Sequence, residues 1–474
     1  MIWIHIDRNS GIPLYRQIYD NFRRKILQGE MHSGERLPST RDLAASLRVS
    51  RNIVVEAYEQ LLAEGYIEGR HGSGTFVSEG TYLEGLADEK FPSIDMRSDS
   101  SRYETELIDF RPGIPALNLF PRKLWGQLAE YTYINGPDAA FGYGKPEGCE
   151  ELRSVLTRYL RRTRGVICEQ EQLIITTGAT QALSLIAKLM LADGSDAVIE
   201  DPITHEIQTM FSMPGTTLYP VPVDHQGMQT QLLPLDIQPS FVYVTPSHQY
   251  PLGGVLPIQR RVQLIQYARS TGCYIVEDDY DSEFRYESAP VSSLQGLDPD
   301  RVIYIGTFSK ILSPALRMGY LILPQSLIAR GRNLKRLTDL HTPSMEQLTL
   351  ARFIDEGYLD RHIAKMRKIY RKRRDFLIAT LMASFADRIT IMGHSTGLHL
   401  VVEFTDVVFT PSLLDAIEQN GVKIYPVEVH AMNKGKQNHR IILGYGNLTE
   451  AEVAKGIQRL AAALSQAART SSTA

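Results

Sequence analysis

RVIYIGTFSKILSPALRMGY, residues 301–320, opens on a β-branched run, Val302 to Ile305, that predicts a buried strand. The run stops at Gly306. Thr307, Ser309 and Lys310 follow, and Arg317 stands seven residues beyond the lysine. Small hydroxyl residues beside a lysine, with an arginine one loop later, suit a phosphate next to a Schiff-base amine. A lysine held out of bulk water can lose its proton and attack a carbonyl. A lone Ser-Lys after a strand is usually a surface pair, so the weight lies in what the rest of the chain sets beside it.

Upstream, CYIVEDDYDSEF (residues 273–284) is a second strand, ending in Asp278, Asp279, Tyr280 and Asp281. A carboxylate at such a strand end can keep a pyridinium nitrogen protonated, which makes a pyridine ring an electron sink. A phenol two residues on can bond the ring hydroxyl. Further upstream, IITTGATQAL (residues 174–183) reads as strand, glycine turn and helix start. The backbone N–H groups of Ala179 and Thr180 would face an anion there. Each motif is weak alone; phosphate cradle, pyridine carboxylate, lysine and second phosphate ligand in one order are strong together.

With these motifs in place, residues from about 108 to 460 resemble the fold-type I aminotransferases, which use pyridoxal 5'-phosphate (PLP). The resemblance implies that Lys310 forms the internal aldimine and Asp278 pairs with the pyridine nitrogen. It implies that Tyr280 lies near the ring oxygen, and that Ala179, Thr180, Thr307, Ser309 and Arg317 hold the phosphate. Asp278 is taken over Asp279 because the family's regulator branch spaces Asp and Tyr two apart.

The 474 residues are too many for one ordinary domain and ample for a large core. A net charge of −3 shows no global basic field, so any nucleic-acid site must be local. Cys149, Cys168 and Cys273 have no metal-ligand spacing and read as reduced core thiols, which fits a cytoplasmic location; no metal site is expected. The N-terminus lacks a secretory pattern. No apolar run approaches the ~20 residues that span a bilayer. No internal repeat stands out.

Residues 1–78 read as a small domain. PLYRQIYDNFRRKILQG carries a helical stripe at Leu14, Ile18, Phe22 and Ile26, ended by Gly29. Ser39 caps a short helix, with Asp42 three residues on and Leu43, Ala44 and Leu47 facing inward. A tight turn at Arg48–Val49 leads to Ser50, a second N-cap. The helix SRNIVVEAYEQLLAEG follows, with core positions Val54, Ala57, Tyr58 and Leu61. YIEGRHGSGTFV then gives two short strands about a glycine-rich tip. Three helices, a short turn and a hairpin make a winged helix-turn-helix.

PLYRQIYDNFRRKI, ERLPSTRDLAASL, SRNIVVEAYEQLLAEGY and GSGTFV resemble the GntR family of bacterial DNA-binding domains over nearly this whole segment. The resemblance implies that the third helix lies in the major groove of double-stranded DNA. Ser50 stands at its start, and Arg51 and Asn52 are the candidates to read base edges. Arg41, Arg70, His71 and Ser73 are candidates for phosphate or minor-groove contacts. Residues 1–78 hold ten Lys/Arg and nine Asp/Glu, so weak monomer electrostatics favour two such domains binding together.

Residues 79–107 are expected to be a flexible linker, because so long an aperiodic run is unusual inside a compact domain. The body, 108–464, opens with IDFRPGIPALNLFP, which resembles the MocR/GabR branch of regulators, a GntR-type head on an aminotransferase-like body. Tyr143 stands five residues before Gly148. In the aminotransferases the matching tyrosine reaches the PLP phosphate of the neighbouring subunit, which implies a homodimer, domain-swapped through the linker. Strand-helix alternation through SDAVIEDP, FVYVTPSHQYPLGG, CYIVEDD, RVIYIG and GYLILP predicts a mostly parallel sheet with helices on both faces. Ligands in such sheets bind beyond the strands' carboxyl ends. The basic face of HIAKMRKIYRKRRDFLIATL reads as solvated. A smaller α/β subdomain closes the chain, and residues 465–474 are expected to be a disordered tail. The expected fold class is thus an α+β winged helix-turn-helix head followed by an α/β body of PLP-dependent transferase fold type I.

Three positions depart from the enzymes. Tyr250, in PSHQYPLGG, stands where they have Asn beside the ring oxygen. DPITHEI has Thr204 where an aromatic usually stacks on the ring, so either His205, next to it, is the stacking group or the ring face is covered differently. The strand arginine that holds a substrate carboxylate aligns with Ile442; Arg440, two residues earlier on the same face, is the candidate for an effector carboxylate. The expected function is a PLP-dependent transcriptional regulator sensing a small amine or amino acid through an aldimine at Lys310, with at most weak transamination. Its operator would carry two half-sites. The alternatives are an aminotransferase with an accessory N-terminal module, and a regulator whose effector is PLP itself.

Overall fold

A computed structural model describes residues 4, 6–8, 10–82, 107–191, 194–287, 289 and 291–472, with the backbone alone over 469–472. The chain divides into two compact units, Met1–Arg102 and Tyr103–Ala474. Of the expected linker, residues 83–106 lie outside the described residues. Tyr82, just before them, packs its ring against Gly29, where a Cβ would sit 2.7 Å from the ring.

The first unit is the expected three helices and wing. Helices Leu14–Leu27, Thr40–Leu47 and Arg51–Ala63 precede an antiparallel hairpin that pairs Ile67 with Val77 and Arg70 with Gly74. Ile18, Phe22, Ile26, Leu43, Val54, Ala57, Tyr58 and Leu61 make one buried core with Ile67 and Val77. Ser39 Oγ accepts from the Asp42 N–H and its hydroxyl donates to the Asp42 carboxylate at 2.6 Å. Arg48 ends the second helix in the left-handed region (φ 52°, ψ 46°), which turns the chain sharply into the third.

The second unit is built on an eight-stranded sheet. Its order is Leu173–Thr176, Gly319–Ile322, Val302–Thr307, Tyr274–Asp279, Phe241–Val244, Asp196–Asp201, Thr217–Asp224 and Gly227–Met228. Val302–Thr307 runs parallel to Tyr274–Asp279, and Gly319–Ile322 runs antiparallel to both its neighbours. Alternate side chains feed different cores. Ile303 and Ile305 join Leu183, Ile186 and Phe211, whereas Val302 joins Leu264 and Ala268 on the other face. The sheet is therefore mostly parallel with helices on both faces.

The smaller subdomain is an antiparallel sheet in the order Ile389–Met392, His399–Phe404, Arg440–Gly444, Tyr425–Pro426. The last helix runs Glu450–Ser472, which corrects the expected tail: residues 465–472 continue the helix. The reason is local. AAALSQAAR is rich in alanine and free of glycine and proline, so nothing stops a helix already under way. Residues 473 and 474 lie outside the described residues. Among the described residues no helix is long and apolar enough to cross a membrane.

Candidate functional site

The motifs meet in one cleft of about 370 Å3 at the carboxyl ends of the central strands. Its lining includes Ala179, Thr180, Asp278, Tyr280, Thr307, Ser309, Lys310, Arg317 and Tyr250, so nine residues singled out from sequence are brought together.

One end is built for an anion. Helix Ala179–Met190 starts after Gly178, which has φ +88°. The N–H groups of a helix's first turn have no intrahelical acceptor and carry the positive end of the dipole. A Cβ on Gly178 would lie 2.9 Å from Arg317 Nη2, so this glycine gives both the turn and room for the guanidinium. Arg317 donates to the Thr177 carbonyl at 2.8 Å. The Thr307 and Ser309 hydroxyls lie 3.1 Å apart, both buried. Backbone donors, two hydroxyls and an arginine converge as a phosphate requires.

Strand pleating separates the two aspartates that the sequence leaves adjacent. Asp279 is a buried ion pair with Arg164 at 2.7 Å, and the Tyr304 hydroxyl also donates to it. Asp278 points into the cleft. Its Oδ2 accepts from the Tyr243 hydroxyl at 2.6 Å, while Oδ1 is buried with no partner. Burial, aided by the Asp279 charge, pushes the Asp278 carboxyl up to about 6. A buried carboxylate oxygen without a donor is costly, and a protonated ring nitrogen supplies the missing donor. The residues present therefore fit PLP. When bound, that cofactor supplies an electrophilic carbonyl carbon conjugated to an electron-sink ring.

Burial lowers the Lys310 amine from its usual range, opposed by Asp281 and Asp278 and aided by Arg111 and Arg317. Part of this comes from a close approach: a Cβ on Gly113 would lie 2.8 Å from Lys310 Nζ. Tyr280 donates its hydroxyl to the His248 carbonyl at 2.9 Å, and its ring stacks on the His248 imidazole. His248 Nδ1 is 3.0 Å from Asp281, and His399 Nε2 is 3.0 Å from the Pro251 carbonyl. Asp281, His248 and His399 each bring one ligand atom within 4.8 Å of the others, a grouping with metal-ligand chemistry; the hydrogen bonds just described employ all three.

Three candidates stand elsewhere. His205 is exposed as the first residue of helix His205–Phe211 and does not line the cleft; Thr204, Glu206 and Ile207 do. Of the two expectations, stacking by His205 is therefore corrected, and a ring face covered differently is the one that fits the lining. A helix start rotates successive side chains by about 100°, and the Thr204 hydroxyl is occupied as the N-cap. Arg440 also lies outside the lining. It is paired in register with Glu403, whose carboxylate is 3.2 Å away, and donates to Gln437 at 2.8 Å. That corrects the carboxylate assignment: both Nη atoms are engaged away from the cleft, and Nε, although without a partner, is buried. Tyr143 is 89% exposed, edge-on to His341, and outside the cleft.

Sequence reasoning missed Gly113, Tyr243, Glu206 and His399, all of which line the cleft. RPGIP carried a signal for Gly113, since a glycine flanked by prolines marks a committed backbone. Tyr243 and His399 arrive from separate strands and have no local signal.

In the head, Ser50, Arg51 and Asn52 are exposed at the start of the third helix, and Ser50 makes no side-chain cap bond. Arg41 is exposed at the start of the second helix. His71 and Ser73 are exposed at the wing tip. Arg70 is tied to Glu68 at 2.8 Å and lies over the Phe76 ring, so it is less free than its neighbours.

Residues 14–77 match the family described as bacterial regulatory proteins, gntR family, and residues 125–460 match aminotransferase class I and II. The HTH-type transcriptional regulator YdeL of Bacillus subtilis is 36% identical over 97% of this chain and 98% of its own. The probable rhizopine catabolism regulatory protein MocR of Rhizobium meliloti is 34% identical, over 97% and 95%. Among solved structures, kynurenine aminotransferase of Pyrococcus horikoshii, in a complex with PMP, is 28% identical. It superposes with a TM-score of 0.71 over 77% of this chain and 92% of that one. A GntR head, an aminotransferase body whose cleft fits the cofactor, and relatives matched from end to end agree: the chain belongs to the MocR-type helix-turn-helix regulators, with a class I/II aminotransferase domain whose cofactor is pyridoxal phosphate.

Proposed function

We propose that the protein is a PLP-dependent transcriptional regulator that senses a small amine or amino acid through an aldimine at Lys310. The observation that carries this is the unpartnered, buried Asp278 oxygen in one cleft with a lysine of lowered basicity, on a chain headed by a DNA-binding fold. Lys310 would hold the cofactor at its carbonyl carbon, and an effector's amine would exchange there with the Lys310 amine, one C–N linkage for another with no change of oxidation state. The cleft residues hold the phosphate and ring, and Asp278 keeps the ring nitrogen protonated. The ligand acts as a signal to the extent that it binds one conformation better than another.

The working unit in this reading is a homodimer, domain-swapped, acting in the cytoplasm on an operator with two half-sites. Tyr131, Ile134, Phe141 and Tyr143 are all at least half exposed on one short stretch, and such a patch is costly unless covered. Tyr143 would there reach the partner subunit's phosphate site.

The test joins absorbance to operator binding. Purified protein given PLP should show the visible band of a lysine-bound cofactor, Lys310→Ala should lack it, and one amine should shift both the band and operator affinity. No band would overturn covalent sensing. Sustained amino transfer near the usual enzyme range of roughly 1–10³ per second without specific DNA binding would establish the aminotransferase reading instead. PLP alone shifting operator affinity would make the cofactor the effector; the relative PdxR of Corynebacterium glutamicum is named as a regulator of pyridoxine biosynthesis.

A further inference from the structure

The charged residues lining the cleft are Glu206, Asp278, Lys310 and Arg317. In the reading proposed above, on which this inference rests, the last three serve the cofactor. The charge left for the part of an effector beyond its reacting amine is Glu206, which lies in the first turn of helix His205–Phe211. The other polar groups there are the Thr204 and Tyr250 hydroxyls and the His399 imidazole. The Tyr250 hydroxyl has His430 Nε2, 3.5 Å away, as its neighbour, and a hydroxyl oxygen has two lone pairs, so it can accept from a donor even where the imidazole donates to it. Glu206 is exposed and lines the cleft, near enough for its charge to act on both Tyr250 and His430. Lys434 and His205 also act on His430, but neither lines the cleft, and Lys434 is tied to the Glu428 and Val429 carbonyls.

The arginine expected for an effector carboxylate is not there. Arg440 lies outside the lining, engaged by Glu403 and Gln437. Arg111, whose charge reaches Lys310, is exposed and is not among the lining residues. A carboxylate carried to the Glu206 side would meet a like charge, whereas an ammonium or guanidinium would meet a counterion and the Tyr250 hydroxyl.

We propose that the cleft selects an amine bearing a second cationic group, a diamine or guanidino-amine, and that Glu206 is the specificity-determining residue that holds it. Lys310 defines where the first nitrogen goes; Glu206 and the Tyr250 hydroxyl define where the second goes.

The test uses the full-length, PLP-loaded protein and three amines of similar length: 1,5-diaminopentane, 1-aminopentane and 5-aminopentanoate. Half-saturation is read from the cofactor's absorbance and, independently, by titration calorimetry. The diamine should half-saturate at a concentration at least tenfold below that of the monoamine, and the aminopentanoate should be the weakest. Glu206→Gln should collapse the diamine-to-monoamine ratio towards one, and Glu206→Lys should invert the ranking in favour of the aminopentanoate. Equal response to diamine and monoamine in the native protein, or a preference that survives Glu206→Gln, overturns the assignment. So does a protein that forms the PLP band but ignores the diamine. Failure to form the band with PLP is a different result: it removes the covalent reading beneath the inference, not the ranking alone.

Discussion

A β-strand turns successive side chains to opposite faces, and the strand Tyr274–Asp279 uses this to give two neighbouring carboxylates separate duties. Each keeps one oxygen buried without a partner, but Asp279 is neutralised by Arg164, while Asp278 lines the cleft, where a ligand can supply the donor. Its carboxyl is raised from 3.8 to about 6. A raised carboxyl means that the folded apo protein holds a proton which the unfolded chain gives up at lower pH. This burial penalty is absent below about pH 4, grows as pH rises through 6, and is then fully felt. Asp278→Asn removes it while keeping an acceptor for Tyr243. The apo variant should therefore match the native protein near pH 4 and exceed it by up to about 3 kcal/mol at pH 7.5. Thermal unfolding of the two apo proteins across that range measures the gap; a gap independent of pH would refute the cause. With PLP the order should reverse, since the variant lacks the ring nitrogen's counter-charge.

Residue positions were legible from sequence wherever the motif was local. Lys310, Thr307 and Ser309 follow one strand, and Ala179 and Thr180 open one helix, so period and turn chemistry place them. Arg440 was not legible. What engages it is Glu403, directly opposite on another strand and 37 residues away, and register between strands has no local signature. His205 failed for a smaller reason, a rotation of one residue at a helix start.

At the scale of elements, the two helix starts of the head look alike in sequence and differ in structure. Both have serine as N-cap. Ser39 Oγ accepts from the Asp42 N–H and is bonded to its carboxylate, whereas Ser50 makes no cap bond. Capping chemistry is legible in sequence; which of two equal caps is used locally is not, because an exposed hydroxyl can turn either way. Ser39→Ala should cost about 1 kcal/mol of head stability, in line with lost caps generally. Ser50→Ala should leave the unfolding midpoint nearly unmoved and weaken operator binding, because its hydroxyl is free for a phosphate. Denaturation of the full chain, followed by the head's transition, and operator titration at fixed salt separate the two effects. Equal destabilisation by both substitutions would remove the distinction.

For the whole molecule, the open question is what covers the stretch Tyr131–Tyr143. Ile134 is 71% exposed, Phe141 60% and Tyr143 89%, among the largest exposures of apolar or aromatic side chains in the described residues. Glu206 and Asp278 finish the cleft from within one chain, but an exposed tyrosine placed after an exposed apolar run fits a contact made in trans. If a second copy covers this face, two substitutions should part company. Ile134→Glu puts a charge into the interface and should yield monomer by light scattering, with PLP affinity and operator affinity falling together, because half-sites bound singly lose the gain of linkage. Tyr143→Phe keeps the ring and should keep the dimer, while PLP binding weakens by the loss of one hydroxyl to phosphate, about 1 kcal/mol or roughly fivefold in affinity. A Tyr143→Phe protein that binds PLP as tightly as the native one would leave the patch as an interface but withdraw the tyrosine from the partner's site. An Ile134→Glu protein that remains a dimer would move the interface to another face altogether.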